Sequence, residues 1–337
     1  MSRVAVLGSG SWGTALARTF ALNGNDVILW GRDKKQIDRM KLSRINSKYL
    51  EHVMLPENIH YTDDIFEAVK GSDVLLLAVS SQANRSILEK IKSQISERTI
   101  IVNVSKGLEK ETNKRASEIC KEILPKNPFV VLSGPSHAEE VALSVPTTLV
   151  ASSDDLISME CIQSILSNEF MRVYTNRDVI GVELGGALKN IIALGIGIID
   201  GLGFGDNTKA AMMTRGMTEI VRLGVALGAE EATFFGLTGM GDLIVTCTSV
   251  HSRNRRAGIL IGQGKKLEEI HNDIHMVVEG ITSTQIAFHL SKKMEIEMPI
   301  VQKMFEVIYQ EKDPKEAIRE LMTRRTKHEN EDILDLH

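Results

Sequence analysis

Cysteine is scarce in this chain: three in 337 residues, at Cys120, Cys161 and Cys247. An odd number at wide spacing, with no C-x-x-C pair, excludes a disulfide framework and suits a reducing cytosol. Positive charge is not in excess either. The 40 Lys and Arg stand against 44 Asp and Glu, a formal net charge of -4. No overall basic surface is therefore offered to nucleic acid, though a local basic cluster can still meet a small anion. The apolar run IIALGIGII at 191–199 falls far short of the ~20 residues a bilayer requires. The first apolar run begins at Val4 and flows into a glycine cluster, without the basic start and cleavage region of a signal peptide. There is no internal repeat, no low-complexity segment and no Pro- or Ser-rich linker. These absences predict a cytoplasmic globular protein with no nucleic-acid partner and no stable membrane insertion.

What is present has two characters. The length favours two packed units. In the first half, short β-rich runs at 4–7, 27–30, 74–79, 100–104 and 129–132 alternate with helix-compatible stretches such as 11–23 and 84–91. Such alternation predicts parallel pairing with helices on both sheet faces. The runs TTLVAS and FMRVYT, on either side of a helical DDLISMECIQSIL, extend the expected sheet to about Thr175. Beyond residue 180 helical patterns take over, from GVELGGALKNIIALGIGIIDGL onward. The predicted fold is α/β: a Rossmann-type doubly wound sheet over 1–179, followed by an all-helical C-terminal domain over 180–337. The boundary falls at the start of a long helix near Val179, so the two domains are expected to pack tightly.

The chemistry begins at GSGSWG, where Gly8, Gly10 and Gly13 match G-x-G-x-x-G between a predicted strand and a predicted helix. Gly8 permits the turn, Gly10 lets a pyrophosphate approach the backbone, and Gly13 lets helix and strand pack closely. A dinucleotide is the expected ligand. After the second strand comes LWGRD. Arg32 there suits the 2'-phosphate of NADP, while Asp33 one residue later keeps NAD in play.

Further candidates lie at other strand ends and on the helices. Ser105 and Lys106 end the fourth predicted strand, and Gly134 and Ser136 follow the next at the same edge, where open α/β sheets bind ligands. Ser136 and His137 are neighbours in a turn without a G-x-S-x-G elbow, which argues against a serine hydrolase. Lys189 and Asn190 sit near the middle of an apolar helix. A buried lysine facing the cleft can exchange the proton that accompanies hydride transfer if desolvation and a cation such as Lys106 lower its pKa. Downstream, a glycine-rich turn with Asp242 leads to Arg253, Asn254, Arg255 and Arg256, suited to gripping a small phosphate. HNDIH places His271 and His275 at i, i+4 but lacks the glutamate of H-E-x-x-H and an obvious third ligand. No metal is expected.

Taken in order, GSGSWGTALA, VSKGLE, LSGPSHAEEV, ELGGALKN, GLTGMGDLIVTCTS, SRNRRAG and VVEGITS make the chain resemble bacterial NAD(P)-dependent glycerol-3-phosphate dehydrogenases over nearly its full length. The resemblance implies reduction of dihydroxyacetone phosphate to sn-glycerol 3-phosphate for phospholipid synthesis, with NADP or NAD as cofactor and a homodimer as the assembly. It places Ser11, Trp12, Arg32, Lys106, Ala138, Arg253, Val277 and Glu279 at the cofactor. Lys106, Gly134, Ser136, Lys189, Asp242, Ser252, Arg253 and Asn254 fall to the substrate, with Lys189 the proton-exchanging residue. His137 departs from the family, where Phe is frequent.

Overall fold

A computed structural model describes residues 1–273, 277–326 and 328–329. The strands are, in chain order, β1 (Arg3–Leu7), β2 (Asp26–Trp30), β3 (Ile45–Asn46), β4 (Leu50–Met54), β5 (Ile59–Thr62), β6 (Val74–Leu77), β7 (Ile100–Asn103), β8 (Phe129–Ser133), β9 (Thr147–Ser152) and β10 (Met171–Asn176). Eight of them form one sheet in the order β10-β9-β8-β7-β6-β1-β2-β5, and β3 pairs separately with β4. The order reverses between β1 and β6. A reversal of this kind opens a crevice at the carboxyl ends of the strands, and the glycine loop lies there.

Helices cover both faces because the strands are apolar on both. Val4 and Val6 share a core with Leu16 and Phe20, whereas Leu7, Ile28 and Trp30 pack with Leu88 and Ile119. The alternation predicts a parallel sheet, and the structure departs from it at one pair of strands. β9 runs antiparallel to β8 and pairs in parallel with β10. The chain turns back at the same edge through the short helix Ala138–Ala142, and an antiparallel return needs no crossover. The sequence reading also passes over β5 and the β3–β4 ribbon. β5 is a short edge strand, and β4, LEHVM, mixes polar with apolar residues, so neither forms a conspicuous apolar run.

After Asn176 the described residues contain no further strand. Helix Val179–Gly201, capped by Asp178 accepting from the Gly181 amide, runs through the second lobe. It packs against helices Asp206–Ala226, Asp242–Thr248, Arg253–Gly262 and Glu279–Lys293. The run at 191–199 is thus part of a 23-residue helix long and apolar enough to cross a membrane, and its most apolar stretch is wholly buried within the protein. Measuring the run alone understates the helix, because Lys189 and Asn190 interrupt its apolar character. Helix Arg253–Gly262 crosses it backbone to backbone. A Cβ on Gly197 would lie 2.0 Å from the Arg255 carbonyl oxygen, and one on Gly258 2.0 Å from that of Leu194.

The lobes meet through buried charge. Glu183 accepts hydrogen bonds from Arg115 Nη1 at 3.0 Å, the Ser117 amide at 2.9 Å and the Ser117 hydroxyl. Burial pushes this carboxyl up against the pull of Arg115 and Ser117.

Candidate active site

The glycine loop is built to leave space at one point and none beside it. Gly8 has φ +127°, and a Cβ there would sit 2.4 Å from the Ala78 carbonyl oxygen. At Gly13 a Cβ would meet the Gly8 carbonyl oxygen at 2.0 Å, whereas at Gly10 it would meet nothing within 4 Å. Gly10 is also the N-cap of helix Ser11–Leu22, with no side chain closing that end. Open space beside uncapped N–H groups fits the pyrophosphate of a dinucleotide. Ser11 is half-buried at this terminus, and Trp12 packs partly buried against the sheet core.

Arg32 is exposed at the end of β2. Asp33 is engaged as the cap of helix Lys34–Ser43, accepting from the Gln36 amide at 3.2 Å. One of its oxygens is therefore committed to the fold. Ala138 opens helix Ala138–Ala142, and Glu279 opens helix Glu279–Lys293 with exposed Val277 two residues earlier. Glu279 reaches across to the sheet lobe, where the Ser81 hydroxyl donates to it at 3.1 Å. Burial raises its pKa, opposed by Ser81 and by the charge of Arg253. Glu279 and Arg253 each open a helix, and the next residues, Gly280 and Asn254, are joined by a hydrogen bond at 2.9 Å.

At the carboxyl edge of the sheet, two lysines from different lobes converge on one carboxylate. Lys189 Nζ donates to Asp242 Oδ1 at 2.6 Å and to the Thr246 hydroxyl. Lys106 Nζ donates to Asp242 Oδ2 at 2.7 Å and to the Gly134 carbonyl at 2.9 Å. Lys189 and Asp242 are 4% and 2% exposed. Burial lowers the Lys189 pKa to about 8, with Asp242 raising it and Lys106 lowering it further. Burial alone would raise Asp242, but Lys106 and Lys189 outweigh it and hold the carboxyl below its usual range. The result is an ammonium group close to losing its proton, which is the property of a general acid at neutral pH. Ser136 turns its hydroxyl to the Gly134 carbonyl at 2.9 Å. His137 places Nε2 3.5 Å from the Val245 carbonyl, and burial lowers its pKa.

The basic cluster divides. Ser252 caps helix Arg253–Gly262 by accepting from the Arg255 amide, and Arg253 is exposed at the first turn. Asn254 donates to Asn190 Oδ1 at 2.8 Å and accepts from the Gly280 amide at 2.9 Å. It thereby ties this helix terminus to the residue beside Lys189. Arg255 turns away to Asp200 at 2.7 Å, and Arg256 is exposed.

The fold brings Lys106, Gly134, Ser136, Lys189, Asp242, Asn254, Arg253 and Glu279 into one neighbourhood. Arg32 stands apart at the end of β2. Among the described residues no group of three His, Cys, Asp or Glu side chains is placed to hold a metal ion; His275 lies outside them. Thr246 escaped the sequence reading, although it stands four residues after Asp242 on one helix, a spacing that puts both on the same face.

This geometry can be set beside known proteins. Family profiles for the N-terminus and the C-terminus of NAD-dependent glycerol-3-phosphate dehydrogenase match residues 3–158 and 178–319. The chain belongs to the NAD-dependent glycerol-3-phosphate dehydrogenase family. It is 54% identical over 327 residues to the glycerol-3-phosphate dehydrogenase, NAD(P)+, of Thermoanaerobacter sp. strain X514, covering 97% of this chain and 98% of that protein. The corresponding Enterococcus faecalis protein is 50% identical over 336 residues, with 99% of each chain covered. The crystal structure of glycerol-3-phosphate dehydrogenase from Coxiella burnetii superposes with a TM-score of 0.92 at 37% identity, covering 96% of this chain and 99% of that one.

Proposed function

We propose that this chain reduces dihydroxyacetone phosphate to sn-glycerol 3-phosphate with NADPH or NADH, supplying the backbone of glycerophospholipids. The observation that carries the reading is the meeting of Lys189 and Lys106 on Asp242 at the strand ends, beside a glycine loop that leaves room for a dinucleotide.

Gly8, Gly10, Ser11, Trp12 and Gly13 would hold the pyrophosphate end of the cofactor, and Arg32 would pair with the 2'-phosphate of NADPH. Lys106, Ala138, Arg253, Val277 and Glu279 would border the rest. When bound, the nicotinamide supplies hydride for the C2 carbonyl carbon. Lys189 as ammonium gives its proton to the carbonyl oxygen, so C2 gains hydride and its oxygen gains a proton. Lys106 polarises that oxygen and orients the substrate. Asp242 keeps both lysines in place, and Gly134 and Ser136 contribute substrate contacts. Ser252, Arg253 and Asn254 anchor the remote phosphate, whose binding energy holds the carbonyl in line. In the reverse direction neutral Lys189 accepts the proton.

The division into 1–179 and 180–337 belongs to the same proposal; its support is the start of the long helix at Val179. So do the homodimer and the cytoplasmic location, the latter supported by three unpaired cysteines. Steady-state oxidation of NADPH and NADH with dihydroxyacetone phosphate, compared with unphosphorylated dihydroxyacetone, tests the activity. Turnover confined to the phosphorylated ketone is expected. Turnover of a carboxylate ketone instead would overturn the substrate.

A further inference from the structure

We propose that the Arg85–Glu109 ion pair holds Lys106 in its working position, making Arg85 and Glu109 positioning residues for the reduction. The inference rests on the roles given above to Lys106 and Lys189.

Lys106 stands in an irregular segment between β7 and helix Ala116–Ile123, and an irregular segment holds a side chain accurately only where it is anchored. The anchor is Glu109, whose side chain is 8% exposed. It receives Arg85 Nε at 2.8 Å and Nη2 at 2.9 Å, a two-pronged geometry that fixes orientation as well as distance. Its amide donates to the Lys114 carbonyl at 2.9 Å, and its carbonyl accepts from the Asn113 amide at 2.8 Å. Gln82, three residues before Arg85, adds a second fastening: it donates to the Leu108 carbonyl at 2.8 Å and accepts from the Lys110 amide at 2.9 Å. The segment is thus closed on itself and bound to the start of helix Asn84–Ile91. On the far side Asn190 donates to the Lys106 carbonyl at 3.5 Å. At the segment's far end Arg115 pairs with buried Glu183 at 3.0 Å, but Glu109 is the buried carboxylate nearer to Lys106 along the chain and is held by two prongs.

The consequence reaches Lys189. The groups facing it are Asp242, Thr246 and Cys247 from helix Asp242–Thr248, Lys106 from this segment, and His137 from the loop after β8. Loosening the segment moves one cation away from Asp242 and leaves the carboxylate to Lys189 alone. Lys189 then keeps its proton to higher pH.

The test uses full-length Glu109→Gln, with Arg85→Lys, which keeps the charge but loses the fork, as the second variant. Glu122→Gln is the control; Glu122 meets Arg85 on its exposed side at 2.9 Å. In Glu109→Gln, kcat with dihydroxyacetone phosphate is expected to fall by about tenfold to a hundredfold, with the KM for NADPH unchanged. The alkaline limb of the pH–rate profile should move upward, by less in Arg85→Lys, and Glu122→Gln should match the parent in both. A parent-like kcat and pH profile in both Glu109→Gln and Arg85→Lys, or an equal loss in Glu122→Gln, overturns the proposal. So does a loss of activity that only follows a lower Tm with the alkaline limb unmoved. A parent enzyme inactive on dihydroxyacetone phosphate would instead remove the underlying functional reading, and this inference with it.

Discussion

Two glycines, Gly10 in one lobe and Gly258 in the other, serve opposite ends. In the sheet lobe a Cβ on Gly10 would meet nothing within 4 Å, whereas in the helical lobe a Cβ on Gly258 would lie 2.0 Å from a carbonyl oxygen. The first glycine leaves a space open; the second closes a space so that two helix backbones touch. A missing side chain therefore leaves an open surface at Gly10 and makes a rigid joint at Gly258, while Gly8 and Gly13 beside Gly10 are closely packed, as Gly258 is. The joint serves the site as well, because it sets helix Arg253–Gly262 against the helix that carries Lys189.

Chemistry separates the lobes most sharply, since in the proposed reaction the helical lobe supplies the proton. Lys189→Met should lower turnover by about a hundredfold to ten-thousandfold while NADPH affinity, measured by fluorescence titration, is retained. A parallel loss of NADPH affinity would assign Lys189 to binding and not to the proton step. In the parent enzyme the same residue fixes the pH response. With its pKa lowered to about 8 by burial, Lys189 loses its proton as pH rises through that value. Ketone reduction should therefore decline above pH 8 and alcohol oxidation should rise over the same range, as read from initial rates in both directions.

One methyl group placed in each lobe sharpens the contrast. Gly258→Ala must push two helices apart, an overpacking cost of about 1–3 kcal/mol, so Tm should fall while NADPH affinity holds. Gly10→Ala meets no protein atom and should leave Tm unchanged but weaken NADPH binding by roughly tenfold, or 1.4 kcal/mol. Exchanged outcomes would reverse the roles assigned to these glycines. The smallest expected effect is at Arg32, exposed at the end of β2. Arg32→Ala should raise the Kd for NADPH by roughly threefold to tenfold, in the range of a charge-assisted hydrogen bond at an open position, with NADH unaffected.

Much of this was legible along the chain. The fingerprint at Gly8, Gly10 and Gly13 is readable because its three roles lie within one strand, turn and helix. Lys189 stood out because a charge inside an apolar helix is costly unless used. Thr246 was legible in principle, one helical turn from Asp242, and was missed because a threonine on a helix is ordinary. Arg85 and Glu109 lie 24 residues apart on different elements, and no local spacing joins them. The antiparallel entry of β9 was hidden for a related reason: alternation of strand and helix does not reveal at which edge the chain turns back.

By itself the sequence settled the class of cofactor and the order of a sheet lobe and a helical lobe, and it singled out two lysines as candidates, since each is written in residues close enough to share a helix, a strand or a turn. Tertiary structure alone decided that these lysines meet on Asp242, that Asn254 binds Asn190 and that Arg85 grips Glu109. Each of those partnerships joins residues distant in sequence, and a charge finds its partner through packing in space, which composition and spacing do not encode.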